Sequence, residues 1–300
     1  MKIIQGVDAS RALQSAQHKL FVEGSSDEEI DPIVIAELLL NSGLPQVEVR
    51  PMGGCENVRS AAWAMVRHHP SYYFVIDRDD QSDQQVEDSW TSFPDADNAN
   101  LIIWRKRELE NYFIDPNYIS QSNFLKKGFS KNRIAKVVLK EANRRLFLDA
   151  ANLTLLSLHR DLRRPFCDHF ANPADFQTID DGRSRISELP ELSDKVADIT
   201  RLFSKSHVET LYDDFVNVLT GGAYPLMYGT GDWLTRMSGK EIFRAIAGQC
   251  FTVRSRTDEV IQGKEQNIEV AKDLLRLPLA QQPSDFQELV DKVRQRISAI

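Results

Sequence analysis

One stretch constrains this chain more than any other: five consecutive apolar residues, Tyr72–Ile76, followed at once by Asp77-Arg78-Asp79-Asp80. An uninterrupted run that is rich in aromatic and β-branched side chains predicts a strand covered on both faces, as in a parallel sheet. On an extended backbone Asp77 and Asp79 point the same way, about 7 Å apart, and Arg78 points the opposite way. Carboxylates directed at one spot repel unless a cation lies between them, and such oxygen ligands suit Mg²⁺ or Mn²⁺. An isolated pair is more often an acidic turn, so other parts of the chain must decide.

Other apolar segments alternate with helical patterns along the first third of the chain. Strands are predicted at residues 19–22, 47–51 and 101–104, and helices at 8–17, at about 25–40 and at 57–68, with an acidic polar loop at 79–98. This alternation predicts right-handed crossovers and a parallel sheet. Ligands of such sheets bind at the carboxyl ends of the strands, where Glu23 and Asp77 both lie.

The start of the second of these helices has two interpretations. Ser25, Ser26 or Asp27 can cap it. Alternatively, Asp31 is the N-cap and Pro32 takes the first helical position.

From residue 119 onward the pattern is helical, which predicts an α/β fold with a mostly α-helical C-terminal half. We expect two domains, at residues 1–118 and 119–300. A helix at 131–147 has apolar residues on one side and a basic stripe on another, Arg133, Lys136, Lys140 and Arg144. Further helices are predicted within residues 148–220 and at 239–247, 258–276 and 284–298, while the Gly/Tyr-rich segment 221–231 allows no assignment.

Charge is distributed unevenly, although the net charge of −7 alone argues against nucleic acid. Residues 71–100 contain eight acidic residues and one basic residue, whereas residues 101–165 contain fourteen Lys/Arg and six Asp/Glu. An acidic site beside a basic segment suits a metal-dependent enzyme that acts on a polyanion. The candidate phosphate-binding residues are Arg105 and Arg107 together with the basic stripe. A solvated helical surface is the alternative interpretation.

Cysteine usage and hydropathy bear on the compartment. The three cysteines, Cys55, Cys167 and Cys250, lack metal-ligand spacing and fit a reducing environment. No apolar run approaches 18 residues, and the N-terminus has no signal-peptide core. We therefore expect a soluble cytoplasmic protein with no membrane partner.

Three motifs in order resemble the TOPRIM domain, the metal-binding α/β module of topoisomerases, primases and OLD-family nucleases. They are Phe21-Val22-Glu23-Gly24 after the first strand, Gly53-Gly54 after the second, and Asp77-x-Asp79 after the third. The resemblance covers about residues 17–118 and depends on the order of the motifs, because each alone is weak.

Two further segments narrow the resemblance. Glu108-Leu109-Glu110-Asn111-Tyr112, followed by Asp115-Pro116, is similar to the E-x-E-N-Y segment of TOPRIM proteins that partner ABC-type ATPases. Ser238-Gly239-Lys240-Glu241 resembles the late G-K motif of OLD-type nucleases. Size and the helical C-terminal half resemble the TOPRIM effectors of PARIS anti-phage systems. That resemblance implies a toxic nuclease that is directed at tRNA and is held by an ATPase partner. It also implies that the active form is a homodimer.

The family mechanism implies roles for named residues. Glu23, Asp77 and Asp79 would surround one Mg²⁺ (or Mn²⁺), with Asp27 as a further ligand or water-positioning group and Glu110 serving a second ion. Lys240 would stabilise negative charge on the transferring phosphate. The alternative role of Glu23 is that of general base. Glu108 is expected to be a surface charge or structural partner, and Asn111 and Tyr112 to be packing residues.

Alternatives from other classes remain. One is an OLD-like DNA nuclease or nickase, and another is a non-catalytic metal-binding TOPRIM subunit of an ATPase complex. A response-regulator-like protein ranks last, since Glu23 is followed by glycine and serines where that fold has an acidic pair. The chain has no Walker A motif, so any ATP dependence would come from a partner.

Overall fold

The structure, a computed structural model, describes residues 18–26, 28–79, 81–93, 95, 99–162 and 177–299. The helix predicted at residues 8–17 lies outside them, as do Asp27 and Cys167. None of the described helices has the combination of length and hydropathy that crossing a membrane requires.

A four-stranded, all-parallel sheet forms the centre of the N-terminal part. Its strands are β1 (His18–Val22), β2 (Val47–Pro51), β3 (Tyr72–Ile76) and β4 (Leu101–Ile103), in the order β2-β1-β3-β4. Val22 pairs with Pro51 at the carboxyl end of β1, and Phe21 pairs with Phe74 of β3. All five residues of β3 are buried, as the uninterrupted apolar run predicts for a strand covered on both faces. The predicted α/β class with a parallel sheet is therefore confirmed.

Helices connect and flank these strands. In the first part of the chain they are α1 (Ile30–Asn41), α2 (Cys55–Met65), α3 (Asp83–Ser92), a 3₁₀ turn (Leu109–Tyr112) and α4 (Pro116–Ile119). The remaining helices are α5 (Lys131–Leu162), α6 (Ile179–Ser187), α7 (Pro190–Leu202), α8 (Lys205–Thr220), α9 (Trp233–Arg236), α10 (Gly239–Cys250), α11 (Gly263–Leu275) and α12 (Ser284–Ala299), with a 3₁₀ turn at Leu279–Gln281. A two-stranded antiparallel ribbon, β5 (Val253–Arg254) and β6 (Val260–Ile261), precedes α11. The predicted helical C-terminal half is confirmed.

Two local predictions were wrong. The segment expected to be an acidic loop contains α3, because Ser82 and Gln85 form a capping box. The backbone amide of Gln85 donates to Ser82 Oγ at 3.2 Å, and the backbone amide of Ser82 donates to Gln85 Oε1 at 3.0 Å. None of the described candidates is the N-cap of α1: the cap position is Glu29, Ser25 and Ser26 precede it, and Asp31 lies in the first turn.

The chain forms two compact units, residues 1–141 with 234–300 and residues 142–233. The domain boundary expected at residue 118 differs from these edges and stays a prediction. Arg296 of α12 is fully buried and donates to the carbonyl oxygens of Pro70, Phe93 and Ala99 at 3.1, 2.7 and 2.6 Å. These hydrogen bonds anchor the last helix to the loops that enter β3 and β4.

Candidate metal centre

The strand order creates a crevice at the carboxyl ends of β1 and β3. From β1 the chain passes to β2 on one side and then crosses back to β3 on the other, so β1 and β3 flank the point where the order reverses. Such switch points are where open α/β sheets bind ligands. Glu23 follows β1, Asp77 follows β3, and the Asp77 amide donates to Glu23 Oε1 at 2.9 Å. The predicted meeting of these two residues is therefore present.

A glycine pair brings a third element to this crevice. Gly24 and Gly53, which follow β1 and β2, exchange backbone hydrogen bonds of 2.9 and 2.6 Å, and both have positive φ, 131° and 85°. Only glycine adopts such angles readily. The chain then enters α2 at Cys55, and ligand atoms of Glu23, Cys55 and Asp79 lie within 4.8 Å of one another.

Asp79 does not continue the strand. Its φ is +41°, in a region that non-glycine residues occupy rarely and at a cost. The expectation of an extended backbone from Asp77 to Asp79 is therefore wrong at Asp79. Arg78 does point elsewhere, since its buried guanidinium bonds Asp83 and donates to the carbonyl oxygen of Arg105 at 3.0 Å.

Asp77 faces a second group of carboxylates. Burial, then the negative charges of Asp31, Glu23 and Glu110, hold the pKa of Asp77 well above its ordinary value. Its Oδ1 is shielded from solvent and has no hydrogen-bond partner among the described residues. A buried carboxylate oxygen without a donor is costly, and it is the kind of atom that a cation satisfies.

Asp31 and Glu110 share this environment. Burial, then the charge of Glu110, raises the pKa of Asp31 well above its usual range, while Lys240 acts in the opposite direction. Burial also raises the pKa of Glu110 to about 7. Burial, opposed by the hydrogen bond from the Asp77 amide, raises the pKa of Glu23 as well. The site therefore collects more negative charge than the fold neutralises.

Lys240 is the cation that the fold supplies to this cluster. Partial burial by itself lowers the pKa of Lys240, but the carboxylates of Glu110 and Glu108 outweigh it and the pKa is raised. Its backbone amide donates to Glu108 Oε2 at 2.8 Å, and Ser238 Oγ donates to the same carboxylate. Glu108 is thus a structural partner, as expected, and it holds the start of α10.

The segment around Asn111 completes this contact. The side-chain Nδ2 of Asn111 donates to the carbonyl oxygens of Leu234 and Met237 at 3.0 and 2.9 Å. A Cβ on Gly239 would lie 2.4 Å from the Asn111 backbone nitrogen, so the glycine is required for close approach. Tyr112 is buried and its hydroxyl donates to Asp285 at 2.5 Å. The E-N-Y and G-K segments therefore pack directly against each other.

The predicted phosphate-binding residues divide into two sets. Arg105 bonds Glu87, Asp285 and Glu288 at 3.0, 3.0 and 2.7 Å and stacks on Trp90. The Arg107 side chain is only 12% exposed and donates to the carbonyl oxygen of Arg236. Arg105 therefore has carboxylate partners within the fold, whereas Arg107 Nε is buried and has no hydrogen-bond partner among the described residues. Phosphate binding by either arginine stays a prediction.

The stripe on α5 has the expected geometry. Its members are all exposed: Arg133, Lys136, Lys140 and Arg144. The apolar positions of the same helix, Ile134, Val138 and Ala142, are fully buried. This face remains a predicted nucleic-acid contact.

Sequence reasoning missed two members of the cluster. Asp31 is followed by a proline, a pattern that indicates a helix cap, and its approach to Glu110 depends on packing between distant segments. Cys55 directly follows Gly53-Gly54, and that adjacency was the one available signal. Burial, then the charge of Glu23, raises the pKa of the Cys55 thiol to about 12.

Comparisons with known proteins assign the chain to no family. No family model matches it, and no curated protein matches it significantly.

The donor set fits a hard divalent cation. Glu23 and Asp79 offer carboxylate oxygens within 4.8 Å of each other, and Asp77 offers an oxygen that lacks a donor among the described residues. Mg²⁺ and Mn²⁺ prefer such ligands. Cys55 is a neutral thiol at physiological pH, so it is a poor ligand for these ions.

Proposed function

We propose that this protein is a Mg²⁺- or Mn²⁺-dependent nuclease of the TOPRIM type. The observation that carries the proposal is the solvent-shielded Asp77 Oδ1, which has no donor among the described residues and lies amid carboxylates whose pKa values are raised. Such an arrangement is unfavourable unless a cation completes it. A structural ion pair would place an arginine or lysine against Asp77, but Arg78 pairs with Asp83. Lys240 adds positive charge to the cluster without forming an ion pair with Asp77 among the described residues.

Glu23, Asp77 and Asp79 would hold the cation, with Glu110 and Asp31 available to a second one. A bound divalent ion lowers the pKa of water and neutralises charge on phosphate oxygens. Asp27 belongs to the predicted ligand set and lies outside the described residues.

The chain's own residues supply positioning and proton chemistry. Lys240 carries a firmly protonated ammonium beside the carboxylates, where it would bind a phosphate oxygen as charge develops. Glu110, with a pKa of about 7, can hold or release a proton near neutral pH. Glu23 is either a ligand or the general base.

Substrate and partner are proposed from the motif resemblance. We propose that tRNA is cleaved, that an ABC-type ATPase controls the protein, that a homodimer is the active form, and that the system is an anti-phage defence acting in the cytoplasm. The exposed stripe on α5 supports contact with a phosphate backbone without distinguishing RNA from DNA. An OLD-like DNA nuclease and a non-catalytic metal-binding subunit are the competing functions.

The test is expression in bacteria with and without a candidate ABC-type ATPase partner and a phage challenge, followed by gels of total tRNA and plasmid DNA. Glu23→Ala and Asp77→Ala should abolish cleavage while the proteins remain folded. Glu209→Ala is the matched control, because that carboxylate is exposed on α8 and pairs only with Lys205 among the contacts described. Cleaved tRNA supports the proposal, nicked DNA favours the OLD-like alternative, and intact nucleic acid under every condition contradicts nuclease activity.

A further inference from the structure

A groove opens between α2 and α3, beside the metal centre. Its volume is about 420 Å³, and Leu101 and Ile103 of β4 contribute apolar atoms to its lining. Trp63 of α2 lines the same groove and is 84% exposed. The other three tryptophans, Trp90, Trp104 and Trp233, are buried. A tryptophan left in solvent beside a concave surface is unfavourable by itself and is typical of a recognition site.

The groove is continuous with the metal centre along one face of α2. Cys55, Arg59 and Trp63 follow one another at intervals of four residues, so they lie on one side of the helix over about 12 Å. Cys55 Sγ belongs to the group formed with Glu23 and Asp79, and Arg59 Nη2 lies 3.6 Å from that sulfur. Arg59 also lines the groove. A positive charge therefore separates the carboxylates from the tryptophan.

The lining combines apolar and polar groups in a way that suits a flat, polar-edged ligand. The Gln85 side chain in the lining accepts from the Ser82 backbone amide, and the Ser92 hydroxyl donates to the carbonyl oxygen of Asp88, whose carboxylate also lies in the lining. A ligand must therefore offer an apolar face to the indole and keep its negative charge beside Arg59. A nucleobase offers a π-face to the indole and a hydrogen-bonding edge to the polar groups of the lining, and its phosphate offers charge to arginine.

We propose that this groove binds one unpaired base of a single-stranded nucleic acid, with Trp63 stacking on the base and Arg59 contacting the phosphate that leads toward the metal centre. The inference rests on the proposed nuclease function and names its substrate class. A base must leave its helical stack to lie against Trp63, so the groove selects loops, ends or unpaired segments over continuous duplex.

The experiment measures binding of a fluorescently labelled single-stranded RNA oligonucleotide by anisotropy, on the full chain carrying Asp77→Ala and in EDTA. In that background Trp63→Ala should weaken binding about tenfold or more, as removal of one stacking platform does. Trp63→Phe should retain most of the affinity, because the phenyl ring still stacks. Leu40→Ala is the matched control, since Leu40 is 57% exposed on α1 and does not line the groove.

Intrinsic fluorescence gives a second measurement. The exposed Trp63 should be quenched on addition of the oligonucleotide, and this quenching should disappear in Trp63→Phe. A duplex of the same sequence should bind the Trp63 variants and the parent equally.

Several results would overturn the inference: no binding of single strands by the parent, less than twofold weakening in Trp63→Ala, or an equal loss of duplex binding. Loss of association with the ATPase in Trp63→Ala, with oligonucleotide affinity unchanged, would assign the groove to a protein partner instead. Because binding is measured without turnover, Trp63-dependent binding can persist if the cleavage test fails. Conversely, Glu23-dependent cleavage can persist if Trp63 proves irrelevant.

Discussion

The backbone amide of Lys240 donates a 2.8 Å hydrogen bond to the carboxylate of Glu108, and this bond joins segments 132 residues apart. It leaves the Lys240 ammonium available to the carboxylate cluster, because the main chain and not the side chain makes the structural contact. The backbone nitrogen of Lys240 therefore fixes the position of the residue, and its ammonium group is the part that can act on a substrate.

The close approach of Gly239 to Asn111 gives the first prediction. Gly239→Ala should destabilise the protein by about 2 kcal/mol, since a Cβ would meet backbone atoms that cannot move independently. Chemical denaturation measures the change. Gly248→Ala is the matched control in the same helix, because a Cβ there meets nothing within 4 Å, and it should be neutral or stabilising. Equal effects of the two substitutions would contradict the steric role of Gly239.

The second prediction concerns the buried carboxyl of Asp77 and the carboxylates around it. Without metal, Asp77→Asn should raise the free energy of unfolding by about 1 kcal/mol or more, because it removes the free-energy cost of either ionising or protonating this buried carboxyl on folding. Mg²⁺ should raise the melting temperature of the parent, by mass action, and affect the variant much less. Thermal melts with and without Mg²⁺ measure both effects. If millimolar Mg²⁺ or Mn²⁺ left the melting temperature of the parent unchanged, the proposed metal centre would be wrong.

The metal centre shows which parts of the site could be predicted from sequence. The apolar run before Asp77 and the position of Glu23 after another strand were sufficient, because strand polarity in a parallel sheet brings their ends together. Asp31 and Cys55 could not be assigned, since their contribution depends on how helices pack around the crevice. No local pattern encodes that packing.

Two other interpretations depend on charge patterns. Local charge density predicts that Arg105 binds phosphate; this stays a prediction, although the guanidinium already bonds Asp285 and Glu288 from the other end of the chain. The acidic composition of residues 79–98 suggested a loop, whereas capping by Ser82 stabilises a helix there. Local sequence does not reveal which charged residues form ion pairs with distant segments, so a charge pattern alone does not define a binding surface.

The third prediction follows from Glu110, whose pKa is raised by burial to about 7 from an ordinary value of 4.5. A carboxyl with a raised folded-state pKa contributes stability that is fully present below its unfolded pKa and lost as pH rises through the folded one. Metal-free protein should therefore lose about 3 kcal/mol between pH 4.5 and pH 7 from this group, at about 1.4 kcal/mol per pKa unit.

Urea denaturation at a series of pH values, in EDTA, measures this loss. Glu110→Gln should flatten the dependence across that window, whereas Glu265→Gln at an exposed position of α11 should leave it unchanged. A parent curve that rises through the same window would show that Glu110 is not the controlling group.

The last prediction separates the two roles of Lys240. Lys240→Met should lower kcat for phosphodiester cleavage by about 10²- to 10³-fold with little change in KM, as expected when a donor to developing charge is removed. The fold should persist, because the hydrogen bond to Glu108 comes from the main chain. Lys240→Arg should recover part of kcat, since it restores the charge. If Lys240→Met instead raised KM and left kcat unchanged, the lysine would bind the substrate's ground state, and the cleavage step would depend on the carboxylates and their cation alone.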